Sequence, residues 1–382
     1  MKIAINAISA TTGGARTYLL NLARALPSLG RHEYQLYIPG SAAPDLAGLP
    51  GNFELLQNAR AERSYVQRLV WEQSTLPRRV SRWGANVLIC TGNFCPLRSS
   101  VPVILLSRNA LYFTPLFTSD LLERRHYFWA LRHAALSRLG LLSAQAARLT
   151  VTPTEAMAKM IRAASGNSPV ALRTIPHGFD PWPSGAEAGP PPPAPPFRFL
   201  LVSHYNYFRN FETVFRALAD LRGVYKNGHV KLVLTTDIRP GLRLGGYDTT
   251  AAHRLMTDLG LLECVSALSA VPYDGLPRVY GSAHAVICPS YVESFSHTLV
   301  EAMGMGIPVI ASDIPAHREV AGDAAVFFSP RDPSELAARC RSVMEDEDLR
   351  GRLRAAGRER ARHFSWRRHF EELLSVAAEV AR

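Results

Sequence analysis

Two glutamates eight positions apart, Glu293 and Glu301, lie in the stretch VICPSYVESFSHTLVEAMGMGIPVIASDIPAHREVA, residues 286–321. Glu293 follows a short apolar run and a polar turn, and Glu301 lies inside the helix that the pattern predicts next. A carboxylate forms strong hydrogen bonds to hydroxyl groups such as those of a sugar diol. The free backbone N–H groups at the start of a helix, here residues 296–299, suit an anionic phosphate. We therefore interpret this stretch as the functional centre of the chain.

The elements that must position these side chains alternate between strand and helix. Apolar runs typical of short strands flank the glutamates at residues 285–288 and 309–311. Similar runs occur earlier, at residues 2–8, 34–38, 86–90, 101–106, 149–153, 198–203 and 231–236. Helical periodicity lies between several of them. This alternation predicts parallel, doubly wound α/β sheets.

A glycine pair, Gly13 and Gly14, separates the first predicted strand from a helix predicted over residues 15–29. Glycines allow the backbone to approach a ligand phosphate closely because they lack a side chain. The pair does not match the G-x-G-x-x-G pattern, and a plain tight turn explains it equally well. Alone it is a weak indication of a binding loop.

The length and composition predict two domains in a soluble globular protein. The chain has 382 residues, of which 47% are hydrophobic and 20% are charged. Residues 181–196 contain eight prolines in sixteen positions, which favours a semi-rigid linker outside any sheet or helix interior. We predict one α/β domain over residues 1–180 and another over residues 197–366.

The cysteines and the N-terminal segment indicate a cytoplasmic protein. The five cysteines are odd in number and form no C-x-x-C pair, so they indicate neither a disulfide framework nor a zinc site. The segment MKIAINAIS reads as one strand and not as the apolar region of a signal peptide. No apolar run approaches the length of a transmembrane helix.

The charge is distributed unevenly between the two halves. Residues 1–180 hold 20 basic and 9 acidic side chains, a net charge of +11, whereas residues 181–382 hold 23 of each. Such an uneven charge distribution is evidence about the binding partners of the protein and not about its fold. An anionic membrane surface, a phosphorylated acceptor and nucleic acid are the candidates, and a solvated basic surface is the alternative.

Two segments of the first half concentrate this charge. Six arginines lie between residues 60 and 82, and residues 124–148 combine arginines with Tyr127, Phe128, Trp129 and several leucines. Basic residues beside aromatic and aliphatic ones can lie on an anionic membrane face. Ordinary helices that cover a sheet with charged outer faces are the competing interpretation. Nucleic acid is disfavoured because no binding motif accompanies the charge.

The order of the motifs resembles that of the retaining glycosyltransferases of family 4. The resemblance rests on the glutamate pair with the following AMGMGIPVIASDIPAHREV, and on further segments in the family's order. These are Gly13-Gly14, VTPTEAM at 151–157, IPHGFD at 175–180, Arg209-Asn210 and AVPYDGLPRVYGSAHAVICPS at 270–290. The family's GT-B fold has two Rossmann-like domains that face each other across a cleft. The resemblance implies that residues 1–180 form the acceptor side, that residues 197–366 bind the donor, and that the last helix, 367–382, packs back on the first domain.

The resemblance also implies roles for the residues of the donor site. Glu301 would hold the ribose hydroxyls of a nucleotide-sugar. Glu293 would lie beside the transferred sugar, where it could hydrogen-bond the sugar hydroxyls or stabilise positive charge that develops at the anomeric carbon. Arg209, in place of the family's lysine, would neutralise the leaving diphosphate. Glu293 and Arg209 are thus the catalytic candidates. The backbone at the helix start would bind the diphosphate, through Ser296, His297, Thr298 and Leu299.

Further candidates lie outside this helix. Val271 would meet the nucleotide base through backbone groups, and the loop containing Gly13 and Gly14 would close on the diphosphate from the other domain. Where the family often has His-Asp, this chain has Arg108-Asn109. Arg108 and Asn109 are therefore candidates for the acceptor side, although an asparagine is no general base.

A metal or another cofactor is not expected. The only D-x-D match, at residues 346–348, lies in a charged helical segment and reads as a solvated helix face. Cationic groups and a helix end would perform the electrostatic work of a metal.

We predict a metal-independent, retaining glycosyltransferase of the hexosyltransferase type that uses a nucleotide-diphosphate sugar. Its acceptor would be a sugar, a lipid-linked or polysaccharide precursor, or a phosphorylated compound, with peripheral contact at an anionic inner membrane face as a further hypothesis. The alternatives are another GT-B nucleotide-sugar enzyme, of the epimerase or phosphorylase type, and a non-catalytic sugar-binding protein. The sugar, the base, the linkage and the oligomeric state stay open.

Overall fold

The computed structural model describes residues 1–11, 13–182, 193–225 and 228–382. Residues 183–192, most of the predicted proline-rich linker, lie outside the described residues. The chain divides into two compact units. The first unit comprises Met1–Gly178 and Ser365–Arg382, and the second comprises Phe179–Phe364.

The first unit is built on a seven-stranded sheet. Its strands are β1 (Lys2–Asn6), β2 (Glu33–Ile38), β3 (Phe53–Gln57), β4 (Val87–Cys90), β5 (Val103–Leu106), β6 (Leu149–Thr152) and β7 (Leu172–Thr174). They run parallel in the order β3-β2-β1-β4-β5-β6-β7. The central strands are continuous buried apolar runs, as expected where helices cover both faces of a parallel sheet.

The helices of this unit fill the connections between its strands. They are α1 (Gly13–Ala25), α2 (Ala59–Arg63), α3 (Tyr65–Trp83), α4 (Leu116–Glu123), α5 (Tyr127–Ala146) and α6 (Glu155–Ser165), with short 3-10 turns at Leu26–Ser28, Gly40–Ala42, Pro44–Leu46 and Ala110–Phe113.

The start of α1 corrects one expectation. Gly13 and Gly14 are the first two residues of the helix and not a loop before it. Gly13 has φ +58°, a conformation that glycine adopts without steric cost, so the chain enters the helix abruptly. The predicted start at residue 15 is late because glycines carry no apolar side chain that periodicity could detect. The predicted end is also late, since Pro27 cannot continue an α-helix and the chain tightens into a 3-10 turn.

The second unit is built on a six-stranded sheet with an additional small hairpin. Its strands are β8 (Phe197–Leu201), β9 (Val230–Leu234), β10 (Arg243–Leu244), β11 (Tyr247–Asp248), β12 (Val265–Ala267), β13 (Ala285–Cys288), β14 (Val309–Ser312) and β15 (Ala325–Phe328). The sheet is parallel in the order β12-β9-β8-β13-β14-β15, and β10 pairs with β11 in the antiparallel hairpin. The hairpin was not predicted, since its strands have only two residues each.

The helices of the second unit again lie between strands or follow the last one. They are α7 (Phe211–Val224), α8 (Thr250–Asp258), α9 (Leu276–Gly281), α10 (His297–Gly304), α11 (Pro315–Ala321), α12 (Pro333–Glu345) and α13 (Glu347–Ala361), with 3-10 turns at Tyr207–Arg209 and Tyr273–Gly275. The prediction of two doubly wound, parallel-sheet α/β domains is confirmed.

The last helix, α14 (Trp366–Val380), belongs to the first unit. It packs against α1, and its residues Trp366, Phe370 and Leu373 join the core of that unit. Gly178 lies so close to this helix that a Cβ atom there would come within 2.1 Å of the Trp366 nitrogen. The first unit ends at Gly178, two residues before the position estimated from the linker.

The strand orders indicate where each sheet can bind a ligand. In the first unit β1 lies between β2 and β4, and in the second unit β8 lies between β9 and β13. The connections from β1 and from β4, and likewise those from β8 and from β13, therefore diverge to opposite sides of the sheet. Ligands of open α/β sheets bind at the carboxyl ends of the strands at such points.

Among the described residues, no helix has both the length and the apolar composition that a membrane crossing requires.

Candidate functional site

An arginine and a glutamate meet at the divergence point of the second sheet. Arg209 follows β8, and Glu293 follows β13, the neighbouring strand. Arg209 Nη1 donates hydrogen bonds to Glu293 Oε1 and, at 3.2 Å, to Ser290 Oγ. The Glu293 side chain is only 8% exposed and that of Arg209 26%. A buried carboxylate is thus paired with a cation that still reaches solvent.

Asn210 holds the loop of Arg209 in place. Its φ of +57° is left-handed, which asparagine tolerates better than most residues. Its Nδ2 donates to the backbone oxygens of Pro289, at 3.1 Å, and Pro330, and its Oδ1 accepts from Thr213 Oγ1 at 2.8 Å. The loops after β8 and β13 are therefore joined by hydrogen bonds, which limits how far Arg209 can move from Glu293.

The second glutamate lies on α10 and has a tyrosine partner. Tyr280 Oη donates to Glu301 Oε2 at 2.7 Å, and both side chains are buried. Burial raises the pKa of Glu301 to about 7, although the hydrogen bond from Tyr280 acts in the opposite direction. This carboxyl group therefore titrates near neutral pH, and hydroxyl donors from a ligand would favour its charged form.

The buried thiol of Cys288 lies within the electrostatic range of both glutamates. The pKa of this thiol is raised to about 12, chiefly by burial and to a smaller extent by the charges of Glu293 and Glu301. The hydrogen bond to Thr298 and the charge of Arg209 lower it. Cys288 ends β13, so the carboxyl end of this strand is the point on which the ionisable groups converge.

A histidine that the motif did not single out lies within electrostatic range of the pair. His317 on α11 is fully buried, and burial lowers its pKa, while the charge of Glu293 raises it and that of Arg209 lowers it. Its Nδ1 lies 3.0 Å from both the hydroxyl and the carbonyl oxygen of Ser312. Within the described residues its Nε2 has no hydrogen-bond partner. Burial therefore disfavours the charged form of this imidazole, which lies within electrostatic range of the Arg209–Glu293 pair.

The start of α10 supplies the expected helix end. Ser296 has φ +75°, and its buried Oγ has no partner in the part of the chain that the structure describes. His297 and Thr298 are half-buried, whereas Leu299 points into the core. Leu299 can therefore contribute only its backbone N–H, which is the role that the resemblance implies. The first N–H groups of a helix lack intrahelical partners.

Val271 lies elsewhere in the same unit. It precedes the 3-10 turn before α9, and its partly buried side chain packs at the edge of the core. A Cβ atom on Gly275 would come within 3.2 Å of its Cγ1. The side chain of Val271 is thus partly engaged in core packing, and its contact with a nucleotide base stays a prediction.

The four remaining candidates belong to the first unit. Besides Gly13 and Gly14 in α1, these are Arg108 and Asn109, which follow β5. The guanidinium carbon of Arg108 lies 4.5 Å from the centre of the Tyr18 ring. Burial lowers the pKa of Arg108. Asn109 Oδ1 accepts from the backbone nitrogen of Leu111 at 3.1 Å and caps a 3-10 turn. The Asn109 side chain thus has a local structural partner that the sequence did not predict.

The D-x-D segment also differs from its predicted form. Asp346 is not on the face of one continuous helix, since it separates α12 from α13. Its Oδ1 accepts from the backbone nitrogen of Leu349 at 2.8 Å, so it is the N-cap of α13. Among the described residues, no group of three or more His, Cys, Asp or Glu side chains could hold a metal ion. Metal independence stays a prediction.

Comparison with known proteins agrees with this arrangement. A model described as Glycosyltransferase Family 4 matches residues 12–182, and one described as Glycosyl transferases group 1 matches residues 188–360. The chain belongs to glycosyltransferase family 4. The resemblance drawn from the motifs is thereby confirmed at the level of the family.

Curated relatives of this family 4 chain match over part of their length. The O-antigen chain mannosyltransferase B of Escherichia coli is 34% identical over 150 residues, which are 38% of this chain and 39% of the relative. A D-inositol 3-phosphate glycosyltransferase of Corynebacterium jeikeium is 27% identical over 48% of this chain and 45% of the relative. The matches thus span less than half the length of these relatives.

Solved structures show the same fold over the whole chain. Sucrose-phosphate synthase of Thermosynechococcus elongatus has a TM-score of 0.77 at 16% identity, covering 100% of this chain and 99% of that one. HepE of Anabaena in complex with UDP-glucose has a TM-score of 0.71 at 18% identity, covering 98% and 100%. At such identities the likeness shows the fold, which is GT-B.

The residues at the candidate site that the sequence did not single out are Tyr280, Ser290, Cys288 and His317. Tyr280, Cys288 and Ser290 lie inside the segment 270–290 that carries the resemblance, and His317 lies in the stretch after the glutamates. The sequence shows the positions of these residues but not their contacts, because each contact joins residues from separate elements at the edge of the sheet.

Proposed function

We propose that this chain is a retaining glycosyltransferase that moves a hexosyl group from a nucleotide-diphosphate sugar to an acceptor hydroxyl. The observation that carries the proposal is the buried Arg209–Glu293 pair at the divergence point of the second sheet. The pair combines a cation that reaches solvent with a carboxylate, next to the start of α10. The cation can bind a phosphate, and the carboxylate can hydrogen-bond a sugar ring.

The donor would be held by three features of the second unit. The backbone N–H groups at residues 296–299 and the Arg209 guanidinium would bind the diphosphate. Glu301 would accept hydrogen bonds from the ribose hydroxyls, with Tyr280 fixing the orientation of its carboxyl group. The family membership and the complex of HepE with UDP-glucose support a nucleotide-sugar donor.

In the reaction the bond between the anomeric carbon and the diphosphate oxygen breaks, and its electron pair leaves with the phosphate. Arg209 stabilises the negative charge that develops on this leaving group, and Glu293 stabilises the positive charge that develops at the anomeric carbon. The acceptor oxygen bonds to the same face of the sugar, and its proton passes to the departing phosphate oxygen. No metal enters these steps, because the arginine and the helix start supply the positive charge.

The acceptor would be a sugar, lipid-linked or phosphorylated compound, as in the assembly of a surface polysaccharide. The names of the relatives, an O-antigen mannosyltransferase and an inositol phosphate glycosyltransferase, support this class. The charge of +11 on residues 1–180 supports an anionic acceptor or an anionic surface that carries it.

A panel of nucleotide-sugars tests the proposal. A UDP-, GDP- or ADP-sugar that binds should raise the melting temperature by mass action. With that donor and a set of hydroxyl acceptors, ¹H NMR of the product should show the anomeric configuration of the donor. Inversion of configuration, or release of a free sugar without an acceptor, would contradict the assignment.

Two substitutions separate binding from turnover. Glu293→Gln should lower kcat by roughly a hundredfold or more, because it removes a charge that acts on the transition state, with a smaller effect on nucleotide binding. Arg209→Gln removes the charge that would neutralise the diphosphate and should reduce both. Glu263→Gln, at an exposed glutamate of the same unit, is the matched control. Equal activity in all four proteins would remove the basis of the proposed mechanism.

A further inference from the structure

The first turn of α5 exposes large apolar side chains to solvent. Tyr127 is 64% exposed, and Phe128 and Leu131 are each 73% exposed. The opposite side of the helix, at Ala130 and His133, is buried against the unit. A helix that covers a sheet normally presents its apolar face inward and polar residues outward. The start of α5 departs from that pattern, and its apolar exposure indicates an interaction surface.

Arginines surround these apolar side chains. Arg125 precedes α5, and Arg132 and Arg138 lie on it, all three exposed. The Arg132 guanidinium carbon lies 5.1 Å from the Trp129 ring and 5.9 Å from the ring of Tyr65, the first residue of α3. The start of α3 is therefore next to the start of α5. Among the described residues, no ion pair joins Arg125, Arg132 or Arg138 to a carboxylate.

We propose that this apolar–basic patch, formed by Leu122, Arg125, Tyr127, Phe128, Leu131 and Arg132, inserts into the surface of an anionic membrane. Aromatic and aliphatic side chains enter the boundary between headgroups and acyl chains, and arginines contact the lipid phosphates. The exposed carboxylate of Glu123 lies in the same segment, and Arg124 is paired with Asp120, so the net positive charge comes from Arg125 and Arg132. The patch stays basic, in agreement with the charge of the whole first half.

A second copy of the chain fits this surface less well. A two-fold dimer brings the same patch of both subunits together, so the arginines of one copy would meet those of the other. Like charges that face each other without carboxylate partners destabilise an interface. An anionic lipid surface supplies the missing negative charge and accepts the apolar side chains in the same contact.

This inference deepens the proposed function, because it gives the acceptor domain a membrane on which to meet a lipid-linked acceptor. The inference depends on the proposed function only in assuming that the acceptor is lipid-linked. The binding step itself needs no donor and no reaction, so the two ideas can fail separately.

The test is flotation of the full chain with vesicles, without nucleotide. One set contains phosphatidylcholine alone, and the other contains 30% phosphatidylglycerol, a composition we choose within the usual range of anionic surfaces. We expect binding to the anionic vesicles that decreases as salt increases. Phe128→Ser with Leu131→Ser should weaken the partition by roughly tenfold or more. Arg125→Gln and Arg132→Gln should each weaken it about fivefold on anionic vesicles only.

Two controls keep the result interpretable. Leu262→Ser replaces a leucine that is 52% exposed in the second unit and should leave vesicle binding unchanged. Exposed substitutions of this kind change stability little, so every variant should keep the wild-type melting temperature and nucleotide-induced shift. Retained nucleotide binding with lost vesicle binding would separate this surface from the donor site.

Two results would overturn the proposal. In the first, the wild type ignores both kinds of vesicle at low salt. In the second, sedimentation equilibrium shows self-association that the Phe128 and Leu131 substitutions abolish, while vesicle binding is absent. The surface would then hold a second copy.

Discussion

Replacement of Glu301 by glutamine should stabilise the protein and weaken nucleotide binding at the same time. Burial raises the pKa of Glu301 from 4.5 to about 7. Below pH 4.5 the carboxyl group is protonated in the folded and unfolded states alike. Between pH 4.5 and 7 the unfolded state loses its proton while the folded state keeps it. The contribution of Glu301 to stability is therefore fully present below pH 4.5 and is lost as the pH rises to 7.

The magnitude follows from the size of the shift. A difference of about 2.5 pKa units at about 1.4 kcal/mol per unit corresponds to about 3 kcal/mol. Glutamine has a carbonyl oxygen that can still accept the hydrogen bond from Tyr280, but it carries no charge to bury. We expect Glu301→Gln to equal the wild type near pH 4.5 and to exceed its stability by up to about 3 kcal/mol at pH 8.

Urea unfolding of both proteins at several pH values measures this difference. Other buried groups also have different pKa values in the folded and unfolded states, such as Glu72, whose pKa burial raises, and His369, whose pKa burial lowers to about 4. They are common to both proteins and cancel in the comparison. Glu263→Gln, an exposed substitution in the same unit, controls for the general effect of replacing a glutamate by glutamine.

Nucleotide binding should change in the opposite direction. Loss of hydrogen bonds to a charged group costs roughly 1.5–3 kcal/mol, so the Kd for the preferred nucleotide should increase roughly ten- to a hundredfold. In the wild type, the Kd should also increase as the pH falls below 7. A stability difference that is constant from pH 4.5 to 8 would refute the burial argument. Wild-type affinity in Glu301→Gln would refute the role of this carboxylate.

Two further substitutions test the packing of the units. Tyr18→Phe removes the hydrogen bond of 2.8 Å to His369 Nε2 and leaves a buried imidazole nitrogen unpaired, so urea unfolding should show a loss of about 1–2 kcal/mol. Gly304→Ala would place a Cβ atom 2.2 Å from the Phe179 ring, and we expect a loss of about 1–3 kcal/mol in the same measurement. Gly351→Ala is its control, because open space surrounds that helical position and alanine should stabilise it by about 0.5–1 kcal/mol. Equal effects at the two glycines, or unchanged stability in Tyr18→Phe, would contradict these contacts.

Much of the fold could be predicted from local patterns. The runs at 285–288 and 309–311 are strands within one residue of their predicted bounds, because a buried parallel strand is a continuous apolar run. The start of α1 was harder to predict from the sequence, since glycines contribute nothing to apolar periodicity. The short hairpin of β10 and β11 was missed for a similar reason.

Part of the candidate site could be predicted from the sequence. Glu293, Glu301 and Arg209 lie where the structure forms its buried pair and its tyrosine-held carboxyl group. Tyr280 and Ser290 were within the motif segment but had no assigned role. The hydrogen bond of Asn109 to its own 3-10 turn was not visible either, because a cap depends on the local backbone conformation and not on residue type alone.

The sequence by itself determined the class of fold, the family and the identity of the charged residues, because these depend on short-range apolar patterns and on motif order. The tertiary structure alone decided which of these residues meet. Arg209 and Glu293 are 84 positions apart and Tyr280 and Glu301 are 21 apart. The first contact exists because β8 lies beside β13, and strand order is a property of the whole sheet. The second exists because the helices before and after β13 pack together. The same holds for burial, which gives Glu301 its pKa near neutrality and leaves Phe128 in solvent.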